Sequence, residues 1–224
     1  MKGGIGKSQI TVLTATALSS PPFSLRVAVV DVDEQKSIVE LQKIDTKFYA
    51  PTTPPFTVVD VDVSGLEQQI ADLDKQFDLV FIDAAGKLDT SADALQQEIS
   101  RSIMYADFLF MPFVAGNFTL RANIKYLTFA RQIQAAKRLT NRPLRVFGFV
   151  NMYRSRSRAN AALIEDLETL KSHNDFSLMS AMLGDYAAFK EADTFTSLFE
   201  PNGSDVAKAN FSEWLNEFLR IIQN

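Results

Sequence analysis

The chain has 224 residues, 46% hydrophobic and 22% charged, which is enough apolar material for a full core in one large domain. It contains no cysteine and one histidine, His173; this excludes disulfides, thiolate zinc sites and cysteine-ligated iron–sulfur clusters, and argues against a histidine metal site. The formal net charge of -4 gives no global nucleic-acid signature, so any contact with DNA has to come from a local basic patch. No apolar run approaches the ~20 residues needed to span a bilayer, and a cytosolic protein is expected.

The first segment is KGGIGKS (Lys2 to Ser8), a glycine-rich turn leading into a helix predicted at roughly residues 7–20. A phosphate-binding loop ordinarily follows a buried strand, so a first strand of roughly 5–6 residues is expected to be missing ahead of it. Strands are then predicted in LRVAVVDVD from Leu25, FTVVDVD from Phe56, FDLVFIDAA from Phe77, ADFLFMPFV from Ala106 and LRVFGFVNM from Leu144. FSLMSAML from Phe176 is a weaker sixth. Their apolar runs are continuous rather than alternating, as in strands covered on both faces. Helices are predicted between them at roughly 35–45, 64–75, 90–104, 118–139, 157–173 and 204–222. APTTPPF from Ala50 is a turn, too short for a domain linker. The alternation predicts one α/β domain over residues 1–224, a mostly parallel twisted sheet flanked by helices on both faces.

The chemistry-bearing residues fall at the ends of these strands. In GGIGKS the glycines let backbone N–H groups turn toward a phosphate, Lys7 would reach the β- and γ-phosphates, and Ser8 would ligate Mg²⁺. The helix beginning near Lys7 adds its positive end. Met1 stands where the general Gly-x-x-x-x-Gly-Lys pattern has its first glycine. Downstream, LVFID ends in Asp83, which would place a carboxylate beside the metal, and VVDVDEQKS supplies Asp31 and Asp33 to hold metal-bound water or orient an attacking water. Each piece alone is weak; a phosphate loop followed in order by two acidic strand ends is a P-loop NTPase pattern.

These segments, with ADFLFMPFVAGNFTL, FVNMYRSRSR and FKEA, resemble the ParA/MinD group of deviant Walker-A ATPases. Within it they are most similar to short ParA-type partition proteins without an N-terminal DNA-reading domain. The resemblance implies that Gly3, Gly4, Ile5, Gly6, Lys7, Ser8 and Gln9 form the ATP cradle. It implies that Lys2 crosses a two-fold dimer interface to the partner's phosphates, where a trans-acting cation would stabilise the transferring phosphoryl group. Asp33 would position the attacking water, Asp83 would hold Mg²⁺ through water, Gly86 would offer its N–H near the γ-phosphate, and Asn151 would sit near the adenine. The chain departs from the pattern in Glu34, where Pro is frequent, and in Gln9, where a second Thr is common. Slow, partner-stimulated hydrolysis is expected.

YRSRSR places Arg154, Arg156 and Arg158 at alternate positions, with Arg142 and Arg145 just upstream. Such a patch can neutralise phosphates without reading sequence, or can simply pair with nearby carboxylates. Lys190 in FKEA is a further DNA candidate by resemblance, and Lys208 and Arg220 are weaker ones. In NFSEWLNEFLRIIQN the residues Phe211, Trp214, Leu215, Phe218, Leu219 and Ile222 fall at helical spacing. A polar face with Glu213, Glu217 and only Arg220 suits a helix docked on a core better than one gripping anionic lipid. The function expected by resemblance is a ParA-like ATPase that forms an ATP-dependent homodimer and binds DNA nonspecifically. It would segregate plasmid or chromosomal DNA, with a ParB-like or other partner protein stimulating hydrolysis. It would be cytoplasmic, and nucleoid-associated when ATP-bound. The alternative is a MinD-like or cargo-positioning ATPase acting on a membrane or a protein assembly. An ATP-dependent ligase or small-molecule kinase on the same scaffold is a third class, and would need its own substrate pocket.

Overall fold

The computed structural model describes residues 5–84, 100–138, 142–173, 177–201 and 204–223. The chain divides into two compact units, one of Lys7–Gly86 with Ala187–Lys208, the other of Met1–Gly6, Lys87–Tyr186 and Ala209–Asn224. Each carries a three-stranded parallel sheet flanked by helices, so the expected α/β class is met as two sheets.

In the first unit the elements are α1 (Lys7–Ser19), β1 (Val27–Asp31), α2 (Ser37–Phe48), β2 (Thr57–Asp60), α3 (Leu66–Gln76) and β3 (Leu79–Asp83). The strand order is β2-β1-β3. Central β1 is VAVVD, with every residue buried, which is why its run shows no polar alternation. Helix α1 is apolar on nearly all sides and buried from Val12 to Leu18, packing against β1 and β3. Its two buried threonines satisfy their hydroxyls within the helix: Thr14 Oγ1 donates to Ile10 O at 2.7 Å and Thr16 Oγ1 to Val12 O at 2.5 Å. Arg26 and Asp78 fix where β1 and β3 begin, through Arg26 N and Nε to Asp78 Oδ2 at 2.9 and 3.2 Å and Nη2 to Oδ1 at 2.6 Å. The late segment 187–208 is tied to α2 by buried Asp45, whose Oδ2 accepts both Thr194 N and Oγ1 at 2.8 Å.

The register of the first sheet puts three aspartates side by side. Asp31 is paired with Asp60 on one side and Asp83 on the other, all at the C-terminal ends of parallel strands. Polar strand ends at that edge are the usual place for a ligand site in an open parallel sheet.

In the second unit β4 (Phe108–Phe113), β5 (Arg145–Val150) and the two-residue β6 (Ser177–Leu178) form a sheet of order β4-β5-β6. Its helices are α4 (Asn117–Lys137), α5 (Arg158–His173) and most of α7 (Asp205–Gln223); the one-turn α6 (Ala187–Lys190) belongs to the first unit. Pro112, which has no N–H to give, sits on β4, which ends the strand order among the described residues. Of the helix expected at 90–104, residues 100–105 are helical and 85–99 lie outside the described residues.

The C-terminal helix docks by its aromatic stripe, as its charge pattern suggests. Phe211, Trp214, Leu215 and Phe218 are 0–2% exposed. Trp214 meets Phe149 edge-on with centroids 5.2 Å apart, and Phe218 meets Phe110 at 4.8 Å. Glu217, on the polar side of that stripe, accepts Ser180 N at 2.8 Å and Ala181 N at 2.7 Å. Among the described residues no helix is long and apolar enough to cross a membrane.

Candidate nucleotide and metal site

The site is built where α1 starts beside the ends of β1 and β3. Gly6, just before α1, has φ 78, a left-handed conformation that side chains resist, so the turn into the helix needs glycine there. One turn of α1 then presents Lys7, Ser8 and Gln9, all partly exposed. Ser8 Oγ donates to Asp83 Oδ2 at 2.5 Å across 75 residues of sequence. Thus the serine of the glycine-rich segment and the aspartate ending LVFID, read as two halves of one site, meet directly.

Asp83 is 3% exposed. Burial pushes its carboxyl up to about 6; the Ser8 hydroxyl and the Lys7 charge oppose that rise, and the charges of Asp31 and Asp33 add to it. Asp31 is wholly buried, and its carboxyl is likewise raised by burial. It is held against that penalty mainly by two amides opening α2: Ile38 N and Val39 N donate to Oδ2 at 2.9 and 3.2 Å, while the Asp33 amide and the Lys36 charge also favour the ionised form. The other oxygen, Asp31 Oδ1, is buried with no hydrogen-bond partner among the described residues. Asp33 is less buried and shaped by its own turn: its Oδ1 accepts Gln35 N at 3.0 Å and its carbonyl accepts Lys36 N at 2.9 Å.

Such a donor set suits a hard cation. A serine hydroxyl, a carboxylate at an unusually high pKa and an orphaned carboxylate oxygen beside it all gain from divalent charge. Among the described residues no group of three or more His, Asp or Glu side chains forms a complete metal cage. The hydroxyl of Ser8 with the carboxylate of Asp83 is the kind of donor set that suits magnesium, which keeps several waters and takes one or two protein oxygens together with phosphates.

Other predicted site residues fall in several places. Lys2, Gly3, Gly4 and Gly86 lie outside the described residues. Within the second unit, buried Asn151 ends β5 and its Nδ2 donates to Ile5 O at 2.8 Å, so it holds the loop backbone. Arg158 opens α5 and Arg156 lies in the turn just before it, both exposed, and Lys190 is exposed at the end of α6 in the first unit. Arg154 is also exposed but is paired with Asp185. The upstream arginines do not extend a free patch. Arg142 pairs with Asp107 at 3.3 Å; Arg145 lies 5.3 Å over both Phe108 and Phe147 and donates to Ile221 O at 3.3 Å. Sequence reasoning also passed over Lys36, whose ammonium reaches Asp31 O, Val61 O and Asp60 at this same edge. The only signal was a lysine three residues after Asp33, between two acidic strand ends.

Residues 1–193 match the family described as the CobQ/CobB/MinD/ParA nucleotide-binding domain. The chain belongs to this family. Solved structures of similar fold agree, at identities that speak for the fold alone. A plasmid partition protein from Borrelia burgdorferi is 17% identical, with TM-score 0.62 over 98% of this chain and 94% of that one. Cobyrinic acid a,c-diamide synthase from Mycobacterium smegmatis, with an ATP analogue and magnesium bound, is 15% identical, with TM-score 0.65 over 98% and 91%. A variant of Cyanothece McdA in complex with ATP is 16% identical, with TM-score 0.63 over 95% and 91%. No curated protein matches the chain by sequence.

Proposed function

We propose that the chain acts as a single ParA-like ATPase domain. The observation that carries this reading is the Ser8–Asp83 contact at an edge that also holds Asp31 and Asp33. On this reading the loop from Lys2 to Ser8, with Gln9, cradles ATP, and Lys7 neutralises the β- and γ-phosphates. Ser8 and Asp83 hold Mg²⁺, which when bound would supply positive charge to the phosphate oxygens. Asp33 orients the attacking water, and Gly86 reports the γ-phosphate through its amide. Asn151, besides holding Ile5, flanks the adenine. Lys2 acts on the partner's nucleotide, so dimerisation follows ATP because facing phosphates repel unless cations from both sides intervene. Nonspecific DNA contact falls to Arg154, Arg156, Arg158 and Lys190. A partner protein stimulates slow hydrolysis and releases the dimer from DNA, moving a plasmid or chromosomal cargo.

The test is binding of the purified protein to arbitrary duplex DNA with ATP and with ADP. Binding with ATP alone supports the cycle; binding with neither directs the search to another surface, a protein assembly or liposomes. The trans role of Lys2 is tested separately. Lys2→Ala should abolish the ATP-induced shift from monomer to dimer in sedimentation, and a variant that still dimerises overturns that role.

A further inference from the structure

Lys36 sits at the joint between the Asp33 turn and α2, in a left-handed conformation with φ 47 and ψ 42. A non-glycine residue there is uncommon and needs something to hold it. Its backbone closes the turn on one side, donating its amide to Asp33 O at 2.9 Å, and opens α2 on the other, its carbonyl accepting Glu40 N at 2.9 Å.

Its side chain folds back onto the sheet edge. Nζ donates to Asp31 O at 2.8 Å and Val61 O at 2.9 Å, and lies 3.0 Å from Asp60 Oδ1; Asp62 Oδ1 is farther, at 3.9 Å. An ammonium has three N–H donors, and the three near acceptors use all of them. Lys36 therefore has no donor left for a phosphate, which separates it from a nucleotide-binding lysine. What it does hold is backbone: the carbonyl that ends β1 and the carbonyl just past β2. Those are the points where the chain leaves the sheet, and Asp33 is two residues beyond the first.

We propose that Lys36 is a positioning residue for Asp33. By tying the exits of β1 and β2 and closing the turn at 33–36, it sets where the Asp33 carboxylate stands relative to Asp83. The inference rests on the ATPase reading and adds to it a residue that never touches nucleotide.

Steady-state hydrolysis and binding of a slowly hydrolysed ATP analogue, on the full chain, test it with three variants. Lys36→Gly keeps the left-handed backbone open while removing the anchor. It should leave KM for ATP and analogue affinity unchanged and lower kcat by on the order of tenfold or more, the scale of a misplaced catalytic group. Lys36→Arg keeps a cation able to reach both carbonyls and should recover most of the lost turnover. Asp60→Asn, on a side chain 58% exposed, loosens the ammonium without touching the core and should lower kcat by less. It carries the test by itself if the Lys36 variants fail to fold, and then an unchanged kcat overturns the proposal. Lys36→Gly turning over at the wild-type rate, or losing only in KM, overturns the inference and leaves the ATPase reading standing. A wild-type chain that neither binds nor hydrolyses ATP overturns that reading, and this inference with it.

Discussion

Two buried carboxylates in register, Asp31 and Asp83, are an unfavourable pair until positive charge arrives. The metal-free protein should register that cost in its response to pH. The Asp83 carboxyl titrates at about 6 in the folded chain against 3.8 unfolded, so the folded state holds the proton more tightly. Its contribution to stability is fully present below about 3.8 and is lost as pH rises through about 6. In chelator, the urea midpoint should therefore rise as pH is lowered from about 7 to 5, and Asp83→Asn, which cannot titrate, should show a smaller rise. Magnesium stands in for the proton, so adding it in the presence of ATP at neutral pH should raise the wild-type midpoint above that with ATP alone and leave Asp83→Asn unmoved. Identical pH curves for the two proteins would show that other groups govern the response. A wild-type midpoint indifferent to magnesium even with ATP bound would remove Ser8 and Asp83 as its ligands.

Most elements were legible because each has a simple local cause. Five strands are apolar runs of β-branched and aromatic residues, and three of them close on the aspartates that register side by side. The C-terminal helix was legible too, through Phe211, Trp214 and Phe218 at helical spacing. Since Trp214 is 2% exposed and stacked between Phe211 and Phe218, Trp214→Ala should cost about 3–5 kcal/mol in chemical denaturation. A loss well under that range would mean that the stripe does not pack as it stands here. The sixth strand shows what local reading misses. FSLMSAML reads as a strand, yet among its described residues only Ser177–Leu178 form one. Met179 N still reaches Gly148 O of β5 at 2.8 Å, but Ser180 N and Ala181 N are captured by the Glu217 carboxylate, and Leu183 N then reaches Val150 O at 2.9 Å. A side chain 36 residues away on another element interrupts the ladder, and no periodicity encodes it. Lys36 escaped notice for the same reason: its two best acceptors are backbone carbonyls, one of them 25 residues on. The Ser8–Asp83 contact was readable because a hydroxyl after a glycine-rich turn and an aspartate ending an apolar strand are residue types expected to meet at a phosphate site.

Across the whole chain a net charge of -4 opposes approach to DNA, so any affinity must be local and strongly salt-dependent. The arginines near β5 are not equivalent in this respect. Arg145 is spent on two phenylalanine rings and the end of α7, Arg142 on Asp107, and Arg154 on Asp185, whereas Arg156 and Arg158 are exposed with no such contact among the described residues. Counting positive residues along the sequence would weight all five alike; the pairing weights two. Arg156→Ala and Arg158→Ala should each weaken ATP-dependent DNA binding about equally on any sequence and lower the salt slope by about 1. Arg154→Ala should do less, because its charge is already partly neutralised. Filter binding across a salt series measures all three. Unaltered slopes for Arg156→Ala and Arg158→Ala would take the DNA surface away from this loop. An Arg154→Ala effect equal to theirs would mean that the Asp185 pair opens when DNA arrives, since a carboxylate left in place would repel the phosphates the arginine must meet.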